Sequence, residues 1–93
     1  MKVSTQIDRE LLRKAALRFL SERFRIALDT QAICRLMAAK HYVDVEFDED
    51  DLMQALKILV DQELIATVTE PLGSTSYYQV TGKGIITNER ING

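Results

Sequence analysis

Residues 48–85 are the most informative part of the chain about its fold and read DEDDLMQALKILVDQELIATVTEPLGSTSYYQVTGKGI. Its first part predicts a helix, because apolar residues recur at helical spacing at Leu52, Leu56, Leu59 and Val60. Asp48 is the expected N-cap, and the carboxylates after it favour the positive end of the helix dipole. The opposite, solvent-facing stripe is expected to consist of Asp50, Gln54, Lys57 and Asp61.

The second part of this stretch predicts a β-hairpin. Residues 64–70 and 76–80 are rich in β-branched and aromatic side chains, which favour strands. Between them, at residues 71–75, lies the only cluster in the chain that combines proline with glycine, so a longer hairpin loop is expected there. Thr81 is then expected to cap a short terminal helix that contains Ile85, Ile86 and Ile91.

Two further helices are expected upstream, over about residues 8–23 and about residues 30–40. The apolar period of the first consists of Ile7, Leu11, Ala15 and Phe19. The expected N-caps are Ser4 or Thr5 for the first helix and Asp29 or Thr30 for the second. Residues 24–28 and residues 41–47 are expected to form extended connections. The resulting order is three helices, a hairpin and a terminal helix, in one α+β domain that covers residues 1–93.

Length and composition limit the classes of protein to which the chain can belong. Its 93 residues suit one domain, and its 46% of hydrophobic residues indicate a folded protein. No apolar run approaches the roughly 18 to 20 residues of a membrane span. The first residues lack the apolar core of a secretory signal, so a cytoplasmic protein without a membrane partner is expected. A single cysteine, Cys34, and a single histidine, His41, make a disulfide, a metal centre and a catalytic triad improbable.

Two motifs that could suggest an enzyme or a ligand site do not meet the required spacing. The acidic run at residues 44–51 fails as an EF-hand loop, because Glu49 stands at the glycine position and Ala55 at the bidentate acid position. Gly82-Lys83-Gly84 lacks the spacing of a phosphate-binding loop. We therefore expect no enzymatic activity and no cofactor.

The formal net charge of −2 hides an uneven distribution along the chain. Residues 1–40 contain nine basic and four acidic residues, for a net +5, whereas residues 41–93 contain three basic and ten acidic residues, for a net −7. Such asymmetry indicates either an interaction surface or head-to-tail self-association. The alternative is that the two halves fold together and neutralise each other.

The order of elements resembles a winged-helix domain, in which three helices precede a hairpin called the wing. The segment Tyr78-Gln79-Val80-Thr81-Gly82-Lys83-Gly84-Ile85 is similar to the "Tyr-x-Leu/Val-Thr-x-Lys-Gly" segment that ends the wing in many small bacterial winged-helix regulators. Residues 56–65 are similar to the end of their recognition helix and the start of the wing. Members of this superfamily commonly have glycine where this chain has Glu63, so the exit from the third helix must differ or carry strain.

The resemblance implies a transcriptional regulator that places its third helix in the major groove of double-stranded DNA and its wing on the backbone. The residues expected to contact DNA are Gln54, Lys57, Arg35, Lys40, Ser74 and Thr75. The charges of the third helix argue against the usual form of this interaction. Four carboxylates at its start would face phosphates, and the wing tip from Glu70 to Ser76 contains no lysine or arginine.

The alternative function is a protein-interaction module on the same fold. Acidic residues of the third helix would meet basic residues of a partner or of a second copy, whose first helix is basic. The residues expected to contact such a partner are Asp50, Asp51, Asp61, Arg9 and Arg13. A homodimer is compatible with both functions.

Overall fold

The computed structural model describes residues 6–92, which form four helices and a three-stranded antiparallel sheet. In chain order the elements are α1 (Gln6–Glu22), β1 (Leu28–Asp29), α2 (Thr30–Ala39), α3 (Glu49–Asp61), β2 (Ile65–Thr69), β3 (Ser76–Val80) and α4 (Gly82–Asn92). The α+β class and the three helices, hairpin and terminal helix expected from the sequence are confirmed. The proposed caps Ser4 and Thr5 lie outside the described residues.

The sheet contains one strand more than the hairpin. Its order is β1-β3-β2, so β3 lies in the middle and pairs with β2 through the hairpin. The two residues of β1 pair with the other edge of β3, Leu28 with Tyr78 and Asp29 with Tyr77. This pairing ties the start of α2 to the wing.

The two connections expected to be extended are extended only in part. A turn closes directly after α1, where the Ile26 amide donates to the Arg23 carbonyl at 2.9 Å. Extended pairing therefore begins only at Leu28, and Phe24 and Ile26 stay about half exposed. Residues 43–45 form bends rather than a continuous extended segment.

The hydrophobic core lies where α1 crosses the other elements, and α1 packs on both α3 and α4. The fully buried side chains of largest volume are Phe19, Leu12, Leu17, Leu20, Ile33, Met37, Leu52, Leu56 and Ile65. The predicted apolar period of α1 is confirmed at Ala15 and Phe19, which are buried together with the neighbouring Leu12, Ala16 and Leu20, whereas Leu11 is 44% exposed. The predicted stripe of α3 is confirmed at Leu52, Leu56 and Leu59, while Val60 is partly buried against the core.

Three of the helix starts, those of α2, α3 and α4, carry the caps that the sequence predicts. The Asp29 carboxylate accepts a hydrogen bond from the Ala32 amide at 2.8 Å at the start of α2. Asp48 and Asp51 form a reciprocal capping box at the start of α3, in which each carboxylate accepts from the other residue's amide, at 2.8 and 3.0 Å. These bonds satisfy backbone amides that have no partner inside the helix.

Helices α2 and α3 end in the same way, without glycine. His41 and Glu63 adopt left-handed backbone conformations, with φ of 53° and 63°. In each case the residue after the left-handed one bonds back across the last turn, as the Leu64 amide does to the Leu59 carbonyl at 3.0 Å. This is the Schellman arrangement, in which glycine is the usual left-handed residue. The expected strain at Glu63 is confirmed, and His41 takes the equivalent position after α2.

Hydrogen bonds and close packing of the segment Thr81–Gly84 connect the hairpin, the end of α3 and the start of α4. The Thr81 hydroxyl lies 2.8 Å from the Glu63 carbonyl oxygen and 3.0 Å from that of Leu64, and it accepts from the Gly84 amide at 3.0 Å. Gly84 is buried so close to β2 that a Cβ there would stand 1.9 Å from the Leu64 carbonyl oxygen. Hydrogen bonding therefore accounts for Thr81, and close packing accounts for Gly84.

Candidate functional site

An open groove lies between α3 and the hairpin. Its volume is about 360 Å³, and its lining residues are Met53, Gln54, Lys57, Val60, Thr67 and Tyr78. Val60 and Tyr78 are partly buried against the core, whereas Met53 is 49% exposed. The floor of the groove is thus mainly apolar, with amide and ammonium groups along the α3 side.

The groove continues towards the start of α3. A second depression of about 370 Å³ shares Met53 and Tyr78 with the first and reaches the start of α2 and the base of the wing. Its other lining residues are Asp29, Thr30, Gln31, Glu49, Thr75 and Ser76. We refer to the two depressions together as the α3–hairpin groove.

The structure brings three of the six predicted DNA-contacting residues into this groove, namely Gln54, Lys57 and Thr75. Ser74 is exposed in the hairpin loop beside Thr75. Arg35 is exposed on α2, four positions after Gln31, but does not line the groove. Lys40 follows the opposite end of α2, about 14 Å from Gln31 at 1.5 Å per residue, and is separate from the others.

The structure separates the residues predicted to contact a protein partner into a set that lines one groove and two acids that lie apart from it. Arg9, Arg13 and Asp51 line one groove of about 260 Å³ between α1 and α3, so the basic and acidic groups face the same space within one molecule. Gln54 borders both this groove and the α3–hairpin groove. Asp50 and Asp61 are exposed near opposite ends of α3. Part of the charge asymmetry of the sequence is therefore balanced inside the fold.

Arg23, which precedes α2 in the sequence, is occupied by internal contacts. Its guanidinium lies 4.0 Å from the centre of the Phe19 ring and donates to the Phe19 carbonyl and to the Tyr42 hydroxyl, at 3.2 and 3.1 Å. The Tyr42 hydroxyl in turn donates to Glu22, which also pairs with Arg18 at 3.4 Å. These contacts fix the end of α1 to the segment after α2, so this arginine has a structural role.

The charge of the α3–hairpin groove is mainly negative. Lys57 is the one basic residue among its lining residues, all of which lie in the described part of the chain, whereas Asp29 and Glu49 contribute carboxylates. Asp50 is exposed next to Glu49. Burial and the neighbouring charges of Glu49 and then Asp48 raise the pKa of the Cys34 thiol. The carboxylates at the start of α3 therefore act on α2 as well as on the open face.

Sequence reasoning missed the apolar part of this groove and the tip of the wing. Met53 lies outside the predicted buried stripe of α3, and an apolar side chain on the solvent side of an amphipathic helix is the signal that could have identified it. Leu72, at the tip of the hairpin, is fully exposed. The tip of the hairpin is thus apolar, whereas a DNA-binding wing would carry a lysine or an arginine there.

No protein-family model and no curated protein sequence matches this chain. Within residues 6–92, the helices are too short or too polar to cross a lipid bilayer.

Proposed function

We propose that the chain is a winged-helix domain without enzymatic activity that acts as a protein-interaction module, with the α3–hairpin groove as its binding surface. The observation that carries this proposal is the groove itself, which combines an apolar floor at Met53, Val60 and Tyr78 with carboxylates at one end. Apolar contacts at the centre with polar groups at the rim are typical of protein interfaces.

The winged-helix assignment is supported by the order and packing of the elements. Helices α1, α2 and α3 pack on one another, and the hairpin packs on α3 through β2 and is joined to α2 through β1. The Thr81–Gly84 segment, which carries the resemblance, occupies the structural junction after the wing.

Sequence-specific DNA binding is the second candidate function. It is favoured by the convergence of Gln54, Lys57 and Thr75 on one groove, since side-chain amides, ammonium groups and hydroxyls can all contact bases or phosphates. Arg35, which is exposed on α2, would add a second basic residue besides Lys57.

The electrostatics favour the protein partner over DNA. Each phosphate contact requires a positive or neutral donor, and the start of α3 presents Glu49 and Asp50 instead. A helix N-terminus carries only about half a positive charge, which the carboxylates of its first turn exceed. The basic residues of α1 cannot neutralise these carboxylates on the α3–hairpin side, because Arg9 and Arg13 line the groove between α1 and α3.

The two functions can be separated by site-specific photo-crosslinking in extracts of the source cells. Benzoylphenylalanine would replace Met53 in the groove, with Ile86 on α4 as the matched exposed control. We expect a discrete adduct from position 53 only, whose size nuclease does not change and in which mass spectrometry finds peptides of a second protein. A nuclease-sensitive adduct from position 53 would establish the DNA function instead.

Fluorescence anisotropy with a random-sequence duplex gives an independent test. A DNA-binding domain should bind at about 50 mM salt and lose most of its affinity at about 200 mM, because counterions compete for the phosphates. We expect no binding at either concentration. Binding with a steep salt dependence, weakened by Lys57→Gln and Arg35→Gln, would contradict the proposed function.

A further inference from the structure

We infer that the occupant of the α3–hairpin groove is a cationic peptide segment with an apolar anchor side chain. This inference deepens the proposed function and rests on it, because it assigns the chemistry of the partner that the groove would bind.

The anchor is indicated by the middle of the groove. Met53 is about half exposed on the solvent side of α3, and Tyr78 and Val60 lie beside it with part of their surfaces still open. Thr67 from β2 closes the far wall. An apolar side chain that entered here would remove apolar surface from water on all of these residues, at about 25 cal/mol per Å² buried.

The positive charge of the occupant is indicated by the end of the groove at the start of α3. Glu49 lines this end, and Asp50 is exposed next to it. Asp29 also lines it, while its carboxylate caps α2. A lysine or arginine that follows the anchor would meet Glu49 and Asp50, and charge complementarity of this kind speeds and orients association.

The groove also gives the occupant a direction. Lys57 lies two turns after Glu49, about 12 Å further along α3, and is the basic residue at the other end of the apolar floor. The basic part of the segment should therefore lie near Glu49 and the wing base, and an acidic or neutral part near Lys57.

The test uses the full chain and a fluorescein-labelled peptide in which one leucine is flanked by lysines. Two companion peptides replace the leucine by serine or the lysines by glutamates. We expect the lysine–leucine peptide to bind, and each companion to bind at least about tenfold more weakly, which corresponds to one apolar anchor or one set of charge contacts.

Variants of the protein locate the binding site. Met53→Ser should weaken binding by about tenfold, and Glu49→Gln with Asp50→Asn by about fivefold, with the latter effect decreasing at high salt. The matched controls are Ile86→Ser, at a similarly exposed apolar residue, and Asp44→Asn with Glu89→Gln, which removes the same charge elsewhere. Circular dichroism would verify that every variant is folded.

Three results would overturn this inference: no binding of the lysine–leucine peptide, equal binding of the glutamate peptide, or equal losses in the groove variants and their controls. None of them would affect the proposed function if position 53 still gives a nuclease-resistant adduct that contains a second protein. A nuclease-sensitive adduct would overturn the proposed function itself.

Discussion

The two ends of α3 are built in opposite ways. Its C-terminal end is closed, because the Glu63 and Leu64 carbonyls are held by the Thr81 hydroxyl and Gly84 packs against the same backbone. Its N-terminal end is open, since Glu49 lines the α3–hairpin groove and Asp50 is exposed to solvent. The closed end therefore contributes to stability, and the open end is available for a partner.

The residues that carry the resemblance to winged-helix regulators and the residues that would contact a ligand lie at different ends of α3. The segment that carries the resemblance, residues 78–85, lies entirely at the closed end, where hydrogen bonding and close packing account for Thr81 and Gly84. The residues that would select a ligand lie at the open end, where this chain has acids. The resemblance therefore supports the architecture more strongly than it supports DNA binding.

The largest effect should come from Gly84→Ala at the closed end. The added Cβ would stand 1.9 Å from the Leu64 carbonyl oxygen and 2.7 Å from a Val80 methyl group, so α4 must move away from the sheet. We expect a loss of about 3 kcal/mol or more in the free energy of unfolding, measured by urea denaturation. Gly82→Ala is the matched control, because nothing lies within 4 Å of its Cβ, and an equal loss there would contradict the packing argument.

Thr81→Val should give the next largest effect. Valine keeps the shape of the side chain but removes the hydroxyl that donates to the end of α3 and accepts from the Gly84 amide. We expect a loss of about 2 kcal/mol in thermal or urea unfolding, the upper range for an N-cap. Thr69→Val, on the exposed end of β2, should change stability by less than about 0.5 kcal/mol.

Substitutions at the open, N-terminal end of α3 should reduce the free energy of unfolding by less. Asp48→Ala removes one half of the capping box, and we expect a loss of about 1 kcal/mol in the free energy of unfolding. Asp61→Ala removes an acid from the last turn of the same helix, where it opposes the dipole, so its effect should be neutral or slightly stabilising. A larger loss from Asp48→Ala than from Thr81→Val would reverse the comparison between the two ends.

The smallest effect should be a gain in stability. Glu63→Gly relieves the left-handed backbone at φ 63°, although glycine increases the entropy of the unfolded chain. We expect a net gain of up to about 1 kcal/mol in urea unfolding. Glu63→Ala keeps a Cβ at the same position and should give no such gain, so an equal gain from alanine would show that removal of the charge is responsible.

The parts of the fold that could be predicted from the sequence depend on local interactions. The caps at Asp29, Asp48 and Thr81 each bond to the amide three residues later, and the apolar stripe of α3 repeats within four residues. The extended segment was predicted as far as Leu28, but the pairing of β1 with β3 was not, because only two residues pair and their partners Tyr77 and Tyr78 lie far along the chain.

The candidate site was predictable only in part, for a similar reason. Gln54 and Lys57 follow from the solvent stripe of α3, but the groove exists only because Tyr78 and Thr67 from the hairpin stand opposite Met53. The internal role of Arg23 likewise depends on Tyr42, which is nineteen positions later. Helical periodicity identifies which residues are exposed, and tertiary packing decides which exposed residues share a surface.

The hydroxyl of Thr81 also has a consequence for the order of folding. Its carbonyl partners precede it by 18 and 17 positions and come beside it only when β2 and β3 have paired. Helix α4 has 11 residues, and an isolated helix shorter than about 12 residues is marginal in water. Closure of the hairpin should therefore precede formation of α4, and the amide hydrogens of α4 should exchange with solvent at least as fast as those of β3.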